Sequence, residues 1–168
     1  MIRSNVVSNA AKKVIDSNVA IVANGSSPQA SIDCELACIE LLERCEHLSI
    51  CLDQTSLIMD EYAKHLNYAG SPGVGDMFFK YLHDNQYAGK NIELVTITPI
   101  LAENRGFEEL PENRFDPSDR KFLATAVSGG AQVVNATDSD WVEQQELMNQ
   151  LNITVQQLCP DCSTRQQN

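Results

Sequence analysis

The sequence predicts an α/β fold: a central parallel sheet of four or five strands with helices on both faces. Short apolar stretches of strand character alternate along the chain with longer stretches of helical periodicity. The length, 168 residues, suits one domain, and neither a repeat nor a linker-like shift in composition divides it. Apolar residues make up 43%, enough to build a core without a structural metal or disulfides. Aromatics are only 6%, so a mostly aliphatic core is expected.

Lys12 to Val19 reads as a short buried strand ending in a polar turn, and Gly25-Ser26-Ser27-Pro28 as a loop. From Ser31 to Leu48, Ile32, Leu36, Ile39 and Leu42 recur at helical spacing. Asp33 and Glu35 stand where the helix dipole favours acids. Cys34, Cys38 and Cys45 share one face of this helix as small core residues. Ser49 to Leu52 is a second strand. Thr55 to Leu66 is a helix with Leu57, Ile58, Tyr62 and Leu66 on one side. Gly70 to Gly75 is a turn without the Gly-Lys-Ser/Thr of a phosphate loop. Asp76 to Asn85 is helical and Ile92 to Ile97 a strand.

Asp116 suits a helix N-cap and Pro117 the first helical position. Phe122, Leu123, Ala126 and Val127 form the buried face of that helix, and Gly129-Gly130 ends it. Ala131 to Asn135 is a strand, Trp141 to Leu151 a helix and Ile153 to Leu158 a last strand. Residues 1–158 thus form one domain, and residues 159–168 a polar, disordered tail.

The net charge of −11 excludes a strongly basic nucleic-acid binder and argues against docking on an anionic membrane. No apolar run approaches the ~18 residues of a membrane span. Met1 to Asn5 leads into no apolar stretch, so no export signal is expected, and a cytoplasmic location with free thiols follows. Cys159-Pro-Asp-Cys162 is a lone pair of cysteines. A zinc site needs about four ligands, and with no second pair or histidine nearby in sequence, no metal role is expected there.

In open parallel sheets, ligands sit at the carboxyl ends of the strands. Asp16 ends the first strand, Asp138 and Asp140 follow the fourth, and Asp119 lies in the first turn of the helix feeding it. Glu61 borders the buried face of its helix, where a carboxylate needs a partner or a cation, whereas Asp60 and Lys64 face solvent. Clustered carboxylates repel, so they take up protons or a cation. An all-oxygen donor set suits Mg²⁺ or Mn²⁺.

These motifs together resemble the PIN-domain ribonucleases. Val14-Ile15-Asp16-Ser17-Asn18-Val19 looks like that family's opening strand. Met59-Asp60-Glu61-Tyr62 looks like its second acid, a glutamate before an aromatic. Asp116-Pro117-Ser118-Asp119-Arg120-Lys121-Phe122-Leu123-Ala124-Thr125-Ala126 is the closest match, continuing to Asp138-Ser139-Asp140-Trp141. The motifs occur in family order across residues 13–158. Where the family often has Thr-Gly-Asp, this chain has Ala136-Thr137-Asp138, with the hydroxyl displaced by one position.

The resemblance implies a PIN-like three-layer sandwich and an Mg²⁺- or Mn²⁺-dependent endoribonuclease acting on single-stranded RNA. Carried over by motif, the catalytic acids are Asp16, Glu61, Asp119 and Asp138. These four and Asp140 are the metal ligands, Asn18 orients Asp16 or a metal-bound water, and Asp116 stands behind them. Many members are toxins held by an antitoxin protein, and many are homodimers. Lys12, Lys13, Arg114, Arg120 and Lys121 flank the expected site and are candidates for contact with RNA phosphates. Core packing is expected for Tyr62 and Trp141 rather than base stacking. The alternative function is a PIN-like binding or regulatory module with little catalysis.

Overall fold

A computed structural model describes residues 11–163. Met1 to Asn5, read above for an export signal, and residues 164–168 of the expected tail lie outside the described residues. In chain order the elements are β1 (Lys13–Ile15), α1 (Ser17–Ala23), α2 (Ile32–Glu43), β2 (Ile50–Asp53), α3 (Leu57–Ala63), α4 (Val74–Asn85) and β3 (Ile92–Val95). Then come α5 (Arg120–Gly129), β4 (Gln132–Asn135), α6 (Asp140–Glu143), α7 (Gln145–Leu151), β5 (Val155–Gln157) and α8 (Pro160–Ser163). The five strands form one parallel sheet in the order β3-β2-β1-β4-β5. Helices flank it, giving the expected three-layer α/β sandwich. Val14 and Ile15 of the central strand are fully buried, as a strand covered on both faces requires.

Several elements depart from their expected bounds. The first strand stops at Ile15 rather than Val19, because the Asp16 carboxylate accepts the Asn18 N–H at 3.0 Å and caps α1. The side chain that ends the strand also starts the helix. Asp53 does the same after β2, accepting from the N–H groups of Leu57 and Ile58 at 2.9 Å, so α3 begins two residues later than expected. The expected helix from Asp116 is a turn over residues 117–119 followed by α5, and Asp116 accepts from the Ser118 N–H at 2.9 Å and its Oγ at 2.7 Å. Gly130, at φ +62°, closes α5 in the left-handed conformation, as expected. The expected helix from Trp141 to Leu151 breaks at Gln144 into α6 and α7.

The apolar stripe expected on α2 is wrong in part. Ile32 is 78% exposed and Leu36 51%, whereas Cys34, Cys38, Leu41 and Leu42 are buried. The cysteine face therefore packs inward against α1 and α4. Gly75 lets α4 approach α1 closely, since a Cβ there would stand 2.1 Å from the Ala20 carbonyl oxygen. Asp76 accepts from the Gly73 and Asn67 N–H groups, both at 2.9 Å, so the glycine-rich turn is held as a helix entry.

The core is mostly aliphatic, as expected, with the aromatic side chains set within it. All five phenylalanines, Tyr62 and Trp141 are buried. Tyr62 meets Phe78, Phe79 and Phe122 with ring centroids 5.8–6.2 Å apart, and its hydroxyl donates to the Ile15 carbonyl. Residues 159–163 of the expected tail are ordered as Cys159 and α8, and Cys159 is disulfide-bonded to Cys34. This corrects the free-thiol expectation for those two residues. Cys38, Cys45, Cys51 and Cys162 are free. Among the described residues no helix is long and apolar enough to cross a membrane.

Candidate functional site

The strand order reverses between β1 and β4, the point in an open parallel sheet where a crevice forms beyond the carboxyl ends. Asp16 ends one of these strands and Asp138 follows the other by three residues. Asp119 joins them from the turn that enters α5. One carboxylate oxygen from each of Asp16, Asp119 and Asp138 lies within 4.8 Å of the others. Asp116, Asp119 and Asp140 form a second such group, so Asp119 belongs to both.

Asp16 is 2% exposed, and the hydrogen bonds it receives hold it in place. Its Oδ2 accepts from Trp141 Nε1 at 2.7 Å, and its Oδ1 from the Asn18 N–H. Trp141 is fully buried and packs edge-on against Phe115, which fixes the donor. Asp138 Oδ1 accepts the Asp140 N–H at 2.9 Å, so one oxygen caps the turn into α6.

The backbone beneath Asp138 is organised by two asparagines. Asn18 Oδ1 accepts from the N–H groups of Ala136 at 2.9 Å and Thr137 at 3.2 Å. Asn135 Oδ1 accepts from Asn18 Nδ2 at 2.9 Å and from the Asp138 N–H at 3.2 Å. Asn135 Nδ2 donates to the Asp138 carbonyl and to Gln157 Oε1, both at 2.8 Å. Thr137 enters this amide network through its backbone N–H.

Asp119, Asp16 and Asp140 hold protons more tightly than a free carboxyl, with burial the largest cause. Burial pushes the Asp119 carboxyl up to about 9, with the negative charges of Asp16 and Asp138 adding to the effect. Burial also lifts Asp16 to about 6, against the opposing hydrogen bonds from Asn18 and Trp141. Asp140 is raised by burial and by Asp138.

The structure does not bring Glu61 into either acidic group. Lys64 Nζ lies 2.7 Å from its Oε2, off the hydrogen-bonding direction, and Lys121 Nζ lies 3.6 Å away. These lysines hold Glu61 below the usual carboxylate range despite the opposing effect of burial. The expectation that Lys64 faces only solvent is corrected: at i+3 it reaches back to Glu61.

The expected phosphate contacts also change. Arg120 is buried, and its guanidinium donates to Asn113 Oδ1 at 3.0 Å, the Asn113 carbonyl at 3.2 Å and the Glu103 carbonyl at 2.7 Å. It locks the loop before α5 and is not free for RNA. Lys12 pairs with Glu93 at 2.8 Å, and Lys13 donates to Gln156 Oε1 at 2.6 Å, both at the start of β1 and away from the Asp16 end. Lys121 is engaged with Glu61, and Arg114 is exposed.

Sequence reasoning missed the roles of Asn135 and Trp141. Asn135 closes a strand and is fully buried, but no periodicity marks it. An opening of about 340 Å³ is lined by Gln29, Thr137, Asp138 and Ser139, and touches the acidic groups at Asp138 alone. A larger cavity of about 660 Å³, between α3 and the entry to α4, holds none of the clustered acids. The chain matches no known protein-family model, no curated protein and no solved structure.

Proposed function

We propose that this protein is a divalent-metal-dependent endoribonuclease hydrolysing phosphodiester bonds of single-stranded RNA. The observation that carries the proposal is the convergence of Asp16, Asp119 and Asp138 at the sheet's switch point. Three carboxylates so close cannot all stay charged unaided, and an all-oxygen donor set of this kind fits Mg²⁺ or Mn²⁺. Asp16, Asp119 and Asp138 would hold the ion, with Asp140 and Asp116 extending the site through Asp119.

When bound, such an ion supplies Lewis acidity, polarising a phosphoryl oxygen and making water nucleophilic near neutral pH. The chain's own residues do the positioning. Trp141 and the Asn18 backbone fix both oxygens of Asp16. Asn18 and Asn135 fix the turn that presents Asp138. Asp119, which holds a proton tightly on its own, would give it up to serve as a ligand. Arg114 is the exposed cation of the loop leading to Asp119 and contacts phosphate. Glu61 of α3 serves through Lys121, drawing that ammonium of α5 toward α3. A toxin role with an antitoxin partner, or a homodimer, extends the same proposal.

The test is cleavage of single-stranded RNA with Mg²⁺ or Mn²⁺ by wild type, Asp16→Asn and Asp119→Asn. Wild type should cut, and each variant should lose at least ~100-fold, beyond the loss typical of residues that only support a ligand. Equal activity in wild type and Asp16→Asn, or none in any protein with either ion, refutes the nuclease and leaves the binding module.

A further inference from the structure

Besides the two acidic groups, one further group of side chains among the described residues stands close enough to share a metal ion, and its donors are sulfur. The sulfurs of Cys34, Cys38 and Cys159 lie within 4.8 Å of one another. Cys34 and Cys38 sit one turn apart on α2. Cys159 immediately precedes α8, which carries Cys162. The Cys162 thiol lies outside that 4.8 Å group and donates to Ser31 Oγ at 3.8 Å, at the entry of the helix that carries Cys34 and Cys38. Ser31 caps α2, accepting from the Cys34 N–H at 3.1 Å. In the tight turn over 159–163, the N–H groups of Cys162 and Ser163 both donate to the Cys159 carbonyl, at 2.9 and 3.1 Å.

We propose that Cys34, Cys38, Cys159 and Cys162 form a tetrathiolate Zn²⁺ site that clamps the C-terminal segment onto α2 when the chain is reduced. A Cys-x3-Cys pair and a Cys-x2-Cys pair have the spacings of structural zinc sites. Zinc–sulfur bonds of ~2.3 Å in a tetrahedron put the sulfurs ~3.8 Å apart, inside the limit the three sulfurs already satisfy. Cys34, Cys38 and Cys159 are at most 5% exposed, so a bound ion would be shielded, with half-buried Cys162 on the solvent side. A disulfide uses only two of these four sulfurs, leaving the Cys38 and Cys162 thiols free to ligate. Soft thiolate donors select zinc over the magnesium that suits the carboxylates.

The Cys34–Cys159 disulfide and the ion are alternative uses of the same sulfurs. A dithiol reductant breaks the S–S bond, giving up two electrons and two protons and becoming a disulfide itself. The four thiols then release four protons as they bind one Zn²⁺. Both states fasten Cys159 to α2, but only the second also engages Cys38 and Cys162.

The test is a cobalt titration of the full chain reduced with a phosphine under nitrogen, in excess Mg²⁺ to occupy the carboxylates. One equivalent of Co²⁺ should produce a thiolate-to-cobalt charge-transfer band, which one equivalent of Zn²⁺ abolishes. The four-sulfur band should be lost or altered in Cys38→Ser and Cys162→Ser, and retained in Cys51→Ala, whose sulfur lies outside the cluster. Cys162 is half-buried, so Cys162→Ser tests the site even where Cys38→Ser fails to fold. No charge-transfer band in the reduced wild type overturns the proposal. So does an unchanged band in Cys162→Ser, or a disulfide that persists in the folded chain under reductant.

Discussion

Replacing Asp119 by Asn should stabilise the metal-free protein near neutral pH while removing its response to Mn²⁺. Asp119 lies within 4.8 Å of both Asp16 and Asp138. Two like charges at that distance repel by about 3.5 kcal/mol at an effective dielectric constant of ~20. The folded chain avoids this by keeping Asp119 protonated, its carboxyl raised to about 9 from an ordinary 3.8. A carboxyl raised by folding contributes stability that is fully present below its ordinary value and is lost as pH rises toward its folded value. Holding that proton at pH 7 costs about 4 kcal/mol, at ~1.36 kcal/mol per pH unit. Because Asp119 is only partly buried, solvent screening reduces this to ~2 kcal/mol. Asn keeps the shape and carries no charge. Asp119→Asn should therefore melt ~4–8 °C above wild type at pH 7 and level with it near pH 4. Mn²⁺ at a hundredfold excess over its Kd should stabilise wild type by ~2.7 kcal/mol and the variant far less. Thermal denaturation followed by circular dichroism reads all of these values. A gap between the two proteins that does not change from pH 4 to pH 8, or equal stabilisation of both by Mn²⁺, refutes the reasoning.

Trp141→Phe removes the 2.7 Å hydrogen bond that holds Asp16 ionised, and should cost ~1.5–3 kcal/mol. It should also move the Asp16 titration above about 6, and an unchanged carboxyl midpoint by ¹³C NMR would contradict this. Asn135→Ala strips the partners from Asn18 and from the Asp138 backbone. Urea denaturation should show a loss of ~2–4 kcal/mol, whereas a loss under ~0.5 kcal/mol would mean the turn is held by something else. Arg120→Ala should destabilise by ~2–3 kcal/mol without changing the salt dependence of RNA binding, while Arg114→Ala should lower that salt slope by ~1. The opposite assignment of slopes would return Arg120 to the RNA surface.

Much of the sheet was legible because a strand buried on both faces must be apolar throughout, as Val14-Ile15, Ile50-Cys51-Leu52 and Val133-Val134 are. Asp16, Asp119, Asp138 and Asp140 were legible because an acid just past a buried strand, or at a helix entry beside it, has few places to go. Glu61 was misjudged because angle around a helix says where a side chain starts, not how far Lys64 or Lys121 can reach. Arg120 was misjudged because a long side chain beside a site can turn inward, and here the backbone carbonyls of Glu103 and Asn113 capture it. The α2 stripe failed because cysteine is as buriable as leucine, and two faces of that helix could equally have turned inward.

Local order along the chain determined the alternation of elements, the ends of the strands and the acids that stand there. These follow from burial and from the hydrogen-bonding needs of helix starts, which act over a few residues. Only the tertiary structure decided which distant groups meet. Trp141 reaches Asp16, Asn135 reaches Asn18, and Cys159 reaches Cys34 and Cys38 across about 125 residues of chain. Such pairings depend on strand order and helix packing. No local pattern encodes them, because their geometry exists only once the sheet has closed its neighbours around β1.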